Sequence, residues 1–393
     1  MTNSEVAIVA AVRTPFGRYF GGLSTIRPDD LLGATLRELA DRTPEFDINK
    51  LDDVIIGDSN GAGEDNRNVA RMGVLLAGFP RTTPGLTLNR LCGSGAEAFI
   101  QASRAIRSGD AEFIIAGGVE SMSRAPWIVQ RFGKEVPMDP EFHQSTVGWR
   151  MKNPSFPLDW TSSLGRCSEL VAENLGIGRV QQDEWALRSH QRATKAWDRG
   201  LHSEWVFTFN GISRDESIRP DSTLATLASL PSAFSENGAG TAGNSSPLND
   251  GSVTALLSSK ESALTMGLAP IGIILGAQVV ATEPDLFSLA PISAIHKLLR
   301  KLDLEVSDIK LWEINEAFSS MVLSVLHEIP EINVEKVNIN GGAIALGHPV
   351  GASAARVIID TARELKRLGG GIGIAAACIG VGLGVAIAIK VDE

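Results

Sequence analysis

Short apolar runs alternate along this chain with segments whose apolar residues recur every three or four positions. The apolar runs predict buried strands, at residues 6–12, 54–57, 112–116, 309–314 and 371–377. The periodic segments predict helices with one buried face, at residues 28–40, 68–77, 96–109, 168–174, 183–197, 291–302 and 317–328. Alternating strands and helices are typical of a layered α/β domain in which helices cover a buried sheet.

The second half of the chain repeats the order of elements in the first half. A glycine-rich turn, a helix, a glycine and a strand follow Cys92, and the same series of features follows His348. This similarity indicates an internal duplication of one βα unit. Between the two copies, residues 122–160 show little periodicity, which is typical of a functional excursion from a scaffold.

One apolar stretch, residues 369–389, carries no charge and is long enough to span a bilayer. Glycines at 380, 382 and 384 interrupt it, so we predict two buried strands joined by a tight turn instead of a membrane helix. Residues 1–5 lack a basic segment followed by an apolar one, which predicts no secretion signal. We therefore expect a cytoplasmic protein without a membrane partner.

Composition narrows the classes of function. A chain of 393 residues can bury a sizeable core and predicts two or three domains. The net charge of −10 argues against binding to nucleic acid, which needs clustered Lys and Arg. Three widely spaced cysteines do not form a disulfide framework and fit a reducing compartment, where a thiol stays reactive.

Cys92 is the first candidate for chemistry. It stands between an apolar lead-in and the Gly93-Ser94-Gly95 turn, with a predicted helix behind it. Unpaired N–H groups and the positive end of a helix dipole favour a thiolate, so we expect a lowered thiol pKa. Small neighbours let a substrate carbonyl approach the backbone. The alternative is a buried structural cysteine, the more common situation for a cysteine taken alone.

Three further glycine-flanked segments carry reactive groups. They are Asn315–Phe318, Gly341–Pro349 with His348, and Cys378–Gly382. A nucleophilic cysteine needs a base, and His348 alone among the six histidines lies in such a turn. Structural roles stay open, because Asn315 can cap a helix and a cysteine in an apolar run is often core. No CxxC pair or His-x-x-x-His is present, so we expect no metal site.

Seven motifs in fixed order resemble the thiolase family of acetyl-CoA acetyltransferases and 3-ketoacyl-CoA thiolases. They are Leu91-Cys92-Gly93-Ser94-Gly95, Gly117-Gly118-Val119-Glu120-Ser121-Met122-Ser123, Thr241-Ala242-Gly243-Asn244, Asn249-Asp250-Gly251, Asn315-Glu316-Ala317-Phe318, residues 340–349, and Cys378-Ile379-Gly380. The resemblance covers nearly the whole chain. It implies a five-layered α-β-α-β-α fold of two similar halves, with a CoA-binding loop domain inserted at residues 121–249. The halves would be residues 1–120 with 250–270, and residues 271–393.

The resemblance also implies roles for the reactive residues. Cys92 would attack the 3-keto carbon of a 3-ketoacyl-CoA while His348 takes its proton. Carbon–carbon cleavage would release acetyl-CoA, with Cys378 protonating the enolate carbon, and the acyl group would pass from Cys92 to a second CoA. His348 and a water held by Asn315 would stabilise the enolate, and the N–H groups of Cys92 and Gly380 would stabilise the acyl oxyanion. CoA is a substrate here, and no cofactor is required.

The resemblance further implies which residues hold CoA. Arg219 and Thr226 match family positions near the nucleotide, and Ser246 matches the serine that touches pantetheine. Leu164, Ala317 and Phe318 are also implied CoA contacts. A homodimer or homotetramer is implied as well.

Three departures from the short-chain biosynthetic pattern bear on the substrate. Ser163-Leu164-Gly165 stands where those enzymes carry His-Met-Gly, Val381 replaces a glycine, and Pro247 replaces another beside the pantetheine loop. The first two features favour a degradative enzyme, of the kind used in β-oxidation, with some resemblance to β-ketoadipyl-CoA thiolases. Pro247 fixes φ beside the pantetheine loop and bears on the CoA contacts instead. A ketoacyl synthase would carry a histidine in place of Cys378. An acyl-CoA-binding protein without turnover would need none of the reactive residues, and a papain-like protease would share only the pairing of Cys with His.

Overall fold

The computed structural model describes residues 5–133 and 138–392. Most of residues 1–5, on which the absence of a secretion signal was predicted, therefore lie outside the described residues. The strands are β1 Val6–Arg13, β2 Gly17–Arg18, β3 Asp53–Gly57, β4 Leu86–Leu88, β5 Phe113–Ser121, β6 Trp127–Val129, β7 Phe142–Gln144, β8 Asn249–Ser259, β9 Gly272–Ala281, β10 Ile309–Ile314, β11 Gly371–Ile379 and β12 Leu383–Val391.

The helices pack on these strands or lie in the segment between β5 and β8. They are α1 Pro28–Asp41, α2 Val69–Leu76, α3 Ser94–Ser108, α4 Leu164–Asn174, α5 Arg179–Asp198, α6 Leu224–Ala228, α7 Lys260–Thr265, α8 Ala290–Leu302, α9 Ser319–Glu328, α10 Ala343–Leu346 and α11 Val350–Arg367.

Strand pairing shows the duplication that the sequence predicted. In the first half β3 pairs in parallel with β5, and β5 pairs antiparallel with β8; in the second half β10, β11 and β12 repeat this arrangement. A parallel bridge from Trp312 to Val337 takes the place of the β3–β4 pairing. The antiparallel partners β1 and β9 complete the two halves and also pair with each other through Val6–Ile8.

The five predicted layers are two half-sheets with helices outside and between them, and three hydrophobic clusters hold these layers together. One cluster joins α1 and α2 to the outer face of the first half-sheet, and another joins α8 and α9 to the outer face of the second. The third holds α3 and α11 between the two half-sheets. Along β1, Val6 and Ile8 face this inner cluster while Ala7 and Val9 face the outer one. Both faces of the strand are buried, so its residues are apolar in an unbroken run.

The apolar stretch at 369–389 forms an antiparallel hairpin, as predicted. Its strands β11 and β12 pair from Gly371–Val391 to Ile379–Leu383, and a short turn at residues 380–382 joins them. Within residues 5–133 and 138–392, no helix has the length and apolarity needed to cross a membrane.

Several predicted boundaries were wrong. β5 continues to Ser121, so the glycine motif after residue 116 is part of the strand. The polar segment that begins at Asn249 is also a buried strand. α9 begins at Ser319, two residues later than expected, and α4 begins at Leu164, four residues earlier. The chain leaves the sheet after β5, returns at β8, and forms β6, β7 and α4 to α6 in between. The proposed domain boundaries stay a prediction.

Candidate active site

Cys92 lies in a tight turn between β4 and α3. Gly93 is the N-cap of α3, so the cysteine precedes the helix by two residues. Leu91 has a positive φ of 49° and donates its N–H to Asn89 Oδ1 at 2.8 Å. Ser94 Oγ closes the turn by donating to the Leu91 carbonyl at 2.7 Å. These local bonds fix the direction in which the cysteine leaves the backbone.

Glycines let this turn pack tightly against the second half of the molecule. A Cβ on Gly93 would lie 2.3 Å from Cδ1 of Ile379, at the end of β11. A Cβ on Gly95 would lie 2.9 Å from the carbonyl oxygen of Gly351, in the first turn of α11. The turns that carry Cys92 and His348 are thereby held side by side, because each precedes one of these two packed helices.

The backbone N–H groups of Gly380 and of Cys92 itself lie near the Cys92 sulfur. Burial raises the pKa of the Cys92 thiol to about 11, although hydrogen bonds from the N–H of Gly380 and of Cys92 itself act to lower that pKa. The expectation of a lowered thiol pKa was therefore wrong. Desolvation outweighs the two N–H groups, and the helix begins too late to supply its first turn. The resting group is a neutral thiol that needs a base.

Cys378 lies close to Cys92. Its side chain is 1% exposed, near the carboxyl end of β11. Burial, and then the charge of a Cys92 thiolate, raises the pKa of Cys378 well above its ordinary value. Both sulfurs are therefore protonated at neutral pH. A protonated, buried thiol is suited to giving a proton to carbon.

His348 is held by two side chains that the sequence did not identify. Its backbone N–H donates to Asn249 Oδ1 at 2.9 Å, and its Nδ1 lies 2.6 Å from Ser353 Oγ. The Ser353 hydroxyl donates its only proton to the carbonyl of Pro349 at 2.8 Å, so it accepts from His348 Nδ1–H. This assigns the neutral tautomer in which Nε2 carries a lone pair.

The lone pair of His348 is available for chemistry. The Nε2 atom is buried and has no hydrogen-bond partner among the described residues. Burial, followed by the charge of Arg356, lowers the pKa of His348 to about 4. The imidazole is therefore neutral, and a neutral histidine can accept the proton of a neutral thiol as that thiol attacks.

Asn315 carries an unused amide at the end of β10, next to the strand that leads to Cys378. It follows β10, and its N–H donates to the carbonyl of Ala376 on β11 at 2.9 Å. Its side chain is fully buried, yet neither Oδ1 nor Nδ2 has a partner within the described part of the chain. The helix-capping interpretation fails, because Phe318 is the N-cap of α9. A buried amide without partners is costly, which is typical of a group reserved for a ligand.

The next residue, Glu316, has a structural role. Its carboxylate accepts hydrogen bonds from Trp185 Nε1 at 3.0 Å, Asn338 Nδ2 at 2.9 Å and Ser189 Oγ at 2.6 Å. These bonds tie α5 to the start of α9 and fix the backbone that carries Asn315.

The predicted CoA contacts fall into two groups. Ser246 donates its N–H to the carbonyl of Ala317 at 3.0 Å, Ser245 bridges to Phe318, and the side chain of Leu164 lies beside Gly380. These residues adjoin the reactive corner. Arg219 and Thr226 instead lie exposed on the inserted segment, and no described contact joins either of them to Ser246 or Cys92.

Sequence reasoning missed Asn249 and Ser353. Asn249 Nδ2 donates to the Gly17 carbonyl and to Ser217 Oγ, both at 2.9 Å, so its amide joins three distant segments. The Asn249-Asp250-Gly251 motif was noted, but nothing local predicts its contact with residue 348. For Ser353, a serine in the first turn after a His-Pro pair was the one available signal. Among residues 5–133 and 138–392, no group of three or more His, Cys, Asp or Glu side chains could hold a metal ion.

A family model for the thiolase N-terminal domain matches residues 6–261, and one for the thiolase C-terminal domain matches residues 268–391. The chain belongs to the thiolase family, as the motifs predicted.

Relatives with described activities agree with this assignment. The chain is 44% identical to a 3-oxoadipyl-CoA/3-oxo-5,6-dehydrosuberyl-CoA thiolase of Escherichia coli, over 93% of this chain and 94% of that protein. It is 43% identical to a β-ketoadipyl-CoA thiolase of Pseudomonas aeruginosa, over 95% and 96% of the two chains. The crystal structure of human mitochondrial 3-ketoacyl-CoA thiolase in complex with CoA superposes with a TM-score of 0.92 at 32% identity, covering 99% and 98%.

Proposed function

We propose that this protein cleaves 3-ketoacyl-CoA thioesters with CoA, releasing acetyl-CoA and an acyl-CoA shortened by two carbons. One set of contacts carries the proposal: the N–H groups of Cys92 and Gly380 lie near the Cys92 sulfur, Cys378 lies close by, and the helix behind Cys92 packs against the helix behind His348. His348 Nε2 and the Asn315 amide are buried and have no partners among the described residues. Thiolysis through a covalent acyl-cysteine needs a nucleophile, a base and donors for developing negative charge.

In the first half-reaction, Cys92 Sγ attacks the 3-keto carbon while His348 Nε2 takes the thiol proton. The bond between the second and third carbons breaks, and its electron pair forms the enolate of acetyl-CoA. Cys378 gives its proton to the enolate carbon, which completes acetyl-CoA. The acyl group is left as a thioester on Cys92, with its oxygen near the N–H groups of Cys92 and Gly380. One such donor is worth about 3–4 kcal/mol in the transition state.

In the second half-reaction, the thiol of CoA attacks the thioester carbon of the acyl-cysteine. The Cys378 thiolate takes the CoA proton, and protonated His348 returns its proton to Cys92 as that sulfur leaves. All protons are thereby restored. Ser353 keeps the His348 ring in one orientation through both steps, because its hydroxyl accepts from Nδ1–H throughout.

We propose that CoA lies along the segment that ends at Ser246. The backbone contact between Ser246 and Ala317, together with Phe318 and Leu164, supports a pantetheine path that leads to the reactive corner. The exposed Arg219 and Thr226 would then meet the phosphorylated nucleotide at the surface. The predicted homodimer or homotetramer stays a prediction, which light scattering on the purified protein measures.

For the acyl group, we propose a substrate with a distal carboxylate, of the 3-oxoadipyl-CoA class. The names and identities of the relatives from Escherichia coli and Pseudomonas aeruginosa support it. Ser163-Leu164-Gly165 and Val381, which depart from the short-chain pattern, agree with it. The second candidate is an unsubstituted 3-ketoacyl-CoA of fatty acid β-oxidation.

Three thioesters distinguish these candidates: acetoacetyl-CoA, 3-oxooctanoyl-CoA and 3-oxoadipyl-CoA. We expect CoA-dependent cleavage with the highest kcat/KM for 3-oxoadipyl-CoA, and succinyl-CoA and acetyl-CoA as the products by mass spectrometry. A higher kcat/KM for 3-oxooctanoyl-CoA would favour the second candidate. Binding of CoA without cleavage of any of the three would refute the proposed activity.

Two cysteine variants separate the proposed roles. Cys92→Ala should neither cleave a 3-ketoacyl-CoA nor gain an acyl mass from succinyl-CoA. Cys378→Ala should still gain the acyl mass on Cys92, more slowly than wild type, because CoA can leave as a thiolate without the proton of Cys378. It should not cleave 3-oxoadipyl-CoA, because the enolate carbon needs that proton. Loss of acylation in both variants would contradict this division of roles.

A further inference from the structure

Val381 adopts a backbone conformation that its side chain disfavours. Its φ is +65°, and it stands between Gly380 and Gly382 in the turn that joins β11 to β12. Ten non-glycine residues in the described part of the chain have a positive φ, and Val381 alone among them is branched at Cβ. Branched residues are strained in the left-handed region, so keeping a valine there costs the fold free energy.

The turn itself does not require a valine. Gly382 also has a positive φ, +75°, and its carbonyl accepts the N–H of Thr282 at 2.7 Å. Positions with positive φ in a tight turn favour Gly or Asn, which adopt that conformation without strain. The chain has the favoured residue at 382 and a disfavoured one at 381.

Packing within the chain does not offset this strain either. The Val381 side chain is 42% exposed, whereas Cys378 and Ile379 just before it are buried. An exposed apolar residue in a strained conformation therefore directly follows the residue whose N–H lies near the Cys92 sulfur.

Apolar side chains of other segments lie beside Gly380. A Cβ built on Gly380 would lie 3.4 Å from Leu91 Cδ1 and 3.6 Å from Leu164 Cδ1. Both leucines are partly exposed. Leu91 and Leu164 thus place apolar side chains beside Gly380, and Val381 is the next residue along the chain.

We infer that Val381 is a specificity-determining residue whose side chain packs against the acyl chain of the substrate. The inference rests on the proposed thiolysis. Contact with substrate methylenes buries the exposed valine, which explains why a strained apolar residue is kept at the surface. The acetyl group transferred from acetoacetyl-CoA is too short for this contact, and longer acyl groups reach it.

The test compares kcat/KM for 3-oxoadipyl-CoA and 3-oxooctanoyl-CoA with kcat/KM for acetoacetyl-CoA. Val381→Asn and Val381→Gly both relieve the strain and remove the apolar contact. We expect both variants to melt at a higher temperature and to lose about tenfold in the long-to-short ratio, the usual effect of a lost apolar contact on substrate discrimination. Val381→Ile keeps a branched apolar side chain and should keep the ratio.

Asp303→Gly is the matched control. Asp303 has a φ of +54° at the C-cap of α8, far along the chain from the site, so this variant should raise the melting temperature without changing the ratio. An unchanged ratio in both Val381→Asn and Val381→Gly would overturn the inference while leaving thiolysis intact. A wild-type protein that cleaves none of the three thioesters would overturn the proposed function, and the inference with it.

Discussion

Two glycines flank the reactive corner, and we expect opposite consequences from replacing them by alanine. At Gly93 an added Cβ would lie 2.3 Å from Cδ1 and 2.9 Å from Cγ1 of buried Ile379. Overpacking of this kind costs about 1–3 kcal/mol of unfolding free energy. At Gly380 the nearest atoms are 3.4–3.7 Å away, which is ordinary contact, and the residue is not in the left-handed region. Alanine there should stabilise the fold by about 0.4–1 kcal/mol.

For activity we expect the opposite order: Gly380→Ala should lose more activity than Gly93→Ala. In Gly380→Ala the N–H is kept, but the new methyl group points toward Leu91 and Leu164, where the acyl chain would lie. We expect kcat/KM for 3-oxoadipyl-CoA to fall about 10- to 100-fold, below the effect of about 10²–10³ for loss of a whole oxyanion donor. Gly93→Ala should lose stability, and any protein that stays folded should keep a larger share of its activity.

The assay pairs urea denaturation with steady-state kinetics for each variant. Gly133→Ala is the control, because no described residue lies within 4 Å of a Cβ at that position, so it should gain a similar stability without any change in kcat/KM. The reasoning would be refuted by a Gly380→Ala protein that unfolds at lower urea than wild type. It would also be refuted by Gly380→Ala with wild-type kcat/KM, since the space beside residue 380 would then have no use for the substrate.

The remaining predictions concern protons. Ser353→Ala should lower kcat about tenfold and shift the pH–rate profile, because His348 loses the acceptor that fixes its tautomer, whereas Ser353→Thr should retain most activity. With the other two cysteines replaced by alanine, alkylation of Cys92 by iodoacetamide should rise about tenfold per pH unit past pH 9, since its pKa is about 11; a plateau below pH 8 would contradict this. Burial lowers the pKa of His202 to about 4, so as pH falls from 6.5 to 4 the unfolded chain binds a proton that the folded protein does not. Stability is therefore lost in that window, by about 3 kcal/mol for this group, and His202→Gln should flatten the melting temperature between pH 7 and 4.5 relative to wild type.

The sequence correctly predicted those strands and helices whose apolar spacing is visible within a short stretch of the chain. The strand expected at residues 6–12 is β1 at Val6–Arg13, and the helix expected at 28–40 is α1 at Pro28–Asp41. β8 was not outlined, because its first residues are polar yet fully buried. Asp250, for example, accepts the Ser123 N–H at 2.8 Å, a bond across 127 positions that no periodicity reveals.

For the site, the reactive residues could be predicted from the sequence, but their protonation states could not. Cys92, His348, Asn315 and Cys378 could be selected by residue type and motif, because their neighbours in sequence are distinctive. The protonation states of these residues could not be predicted, because they depend on burial by segments that are distant in the sequence. The thiol pKa was predicted in the wrong direction for this reason: the helix dipole is a local feature, whereas the desolvation that outweighs it comes from packing against β11.

The β5–β8 and β11–β12 strand pairs are equivalent in the two halves but differ in the length of the segment that connects them. The β11–β12 hairpin closes in three residues, Gly380 among them, while its counterpart β5–β8 is connected through the whole of residues 122–248. Loop-closure entropy grows only logarithmically with length, so the strand pairing tolerates either connection. A segment grafted from a relative onto these two half-sheets should therefore leave the strand pairing in place, provided that it keeps Trp185, Ser189 and Ser217, which bond Glu316 and Asn249 beside the reactive residues.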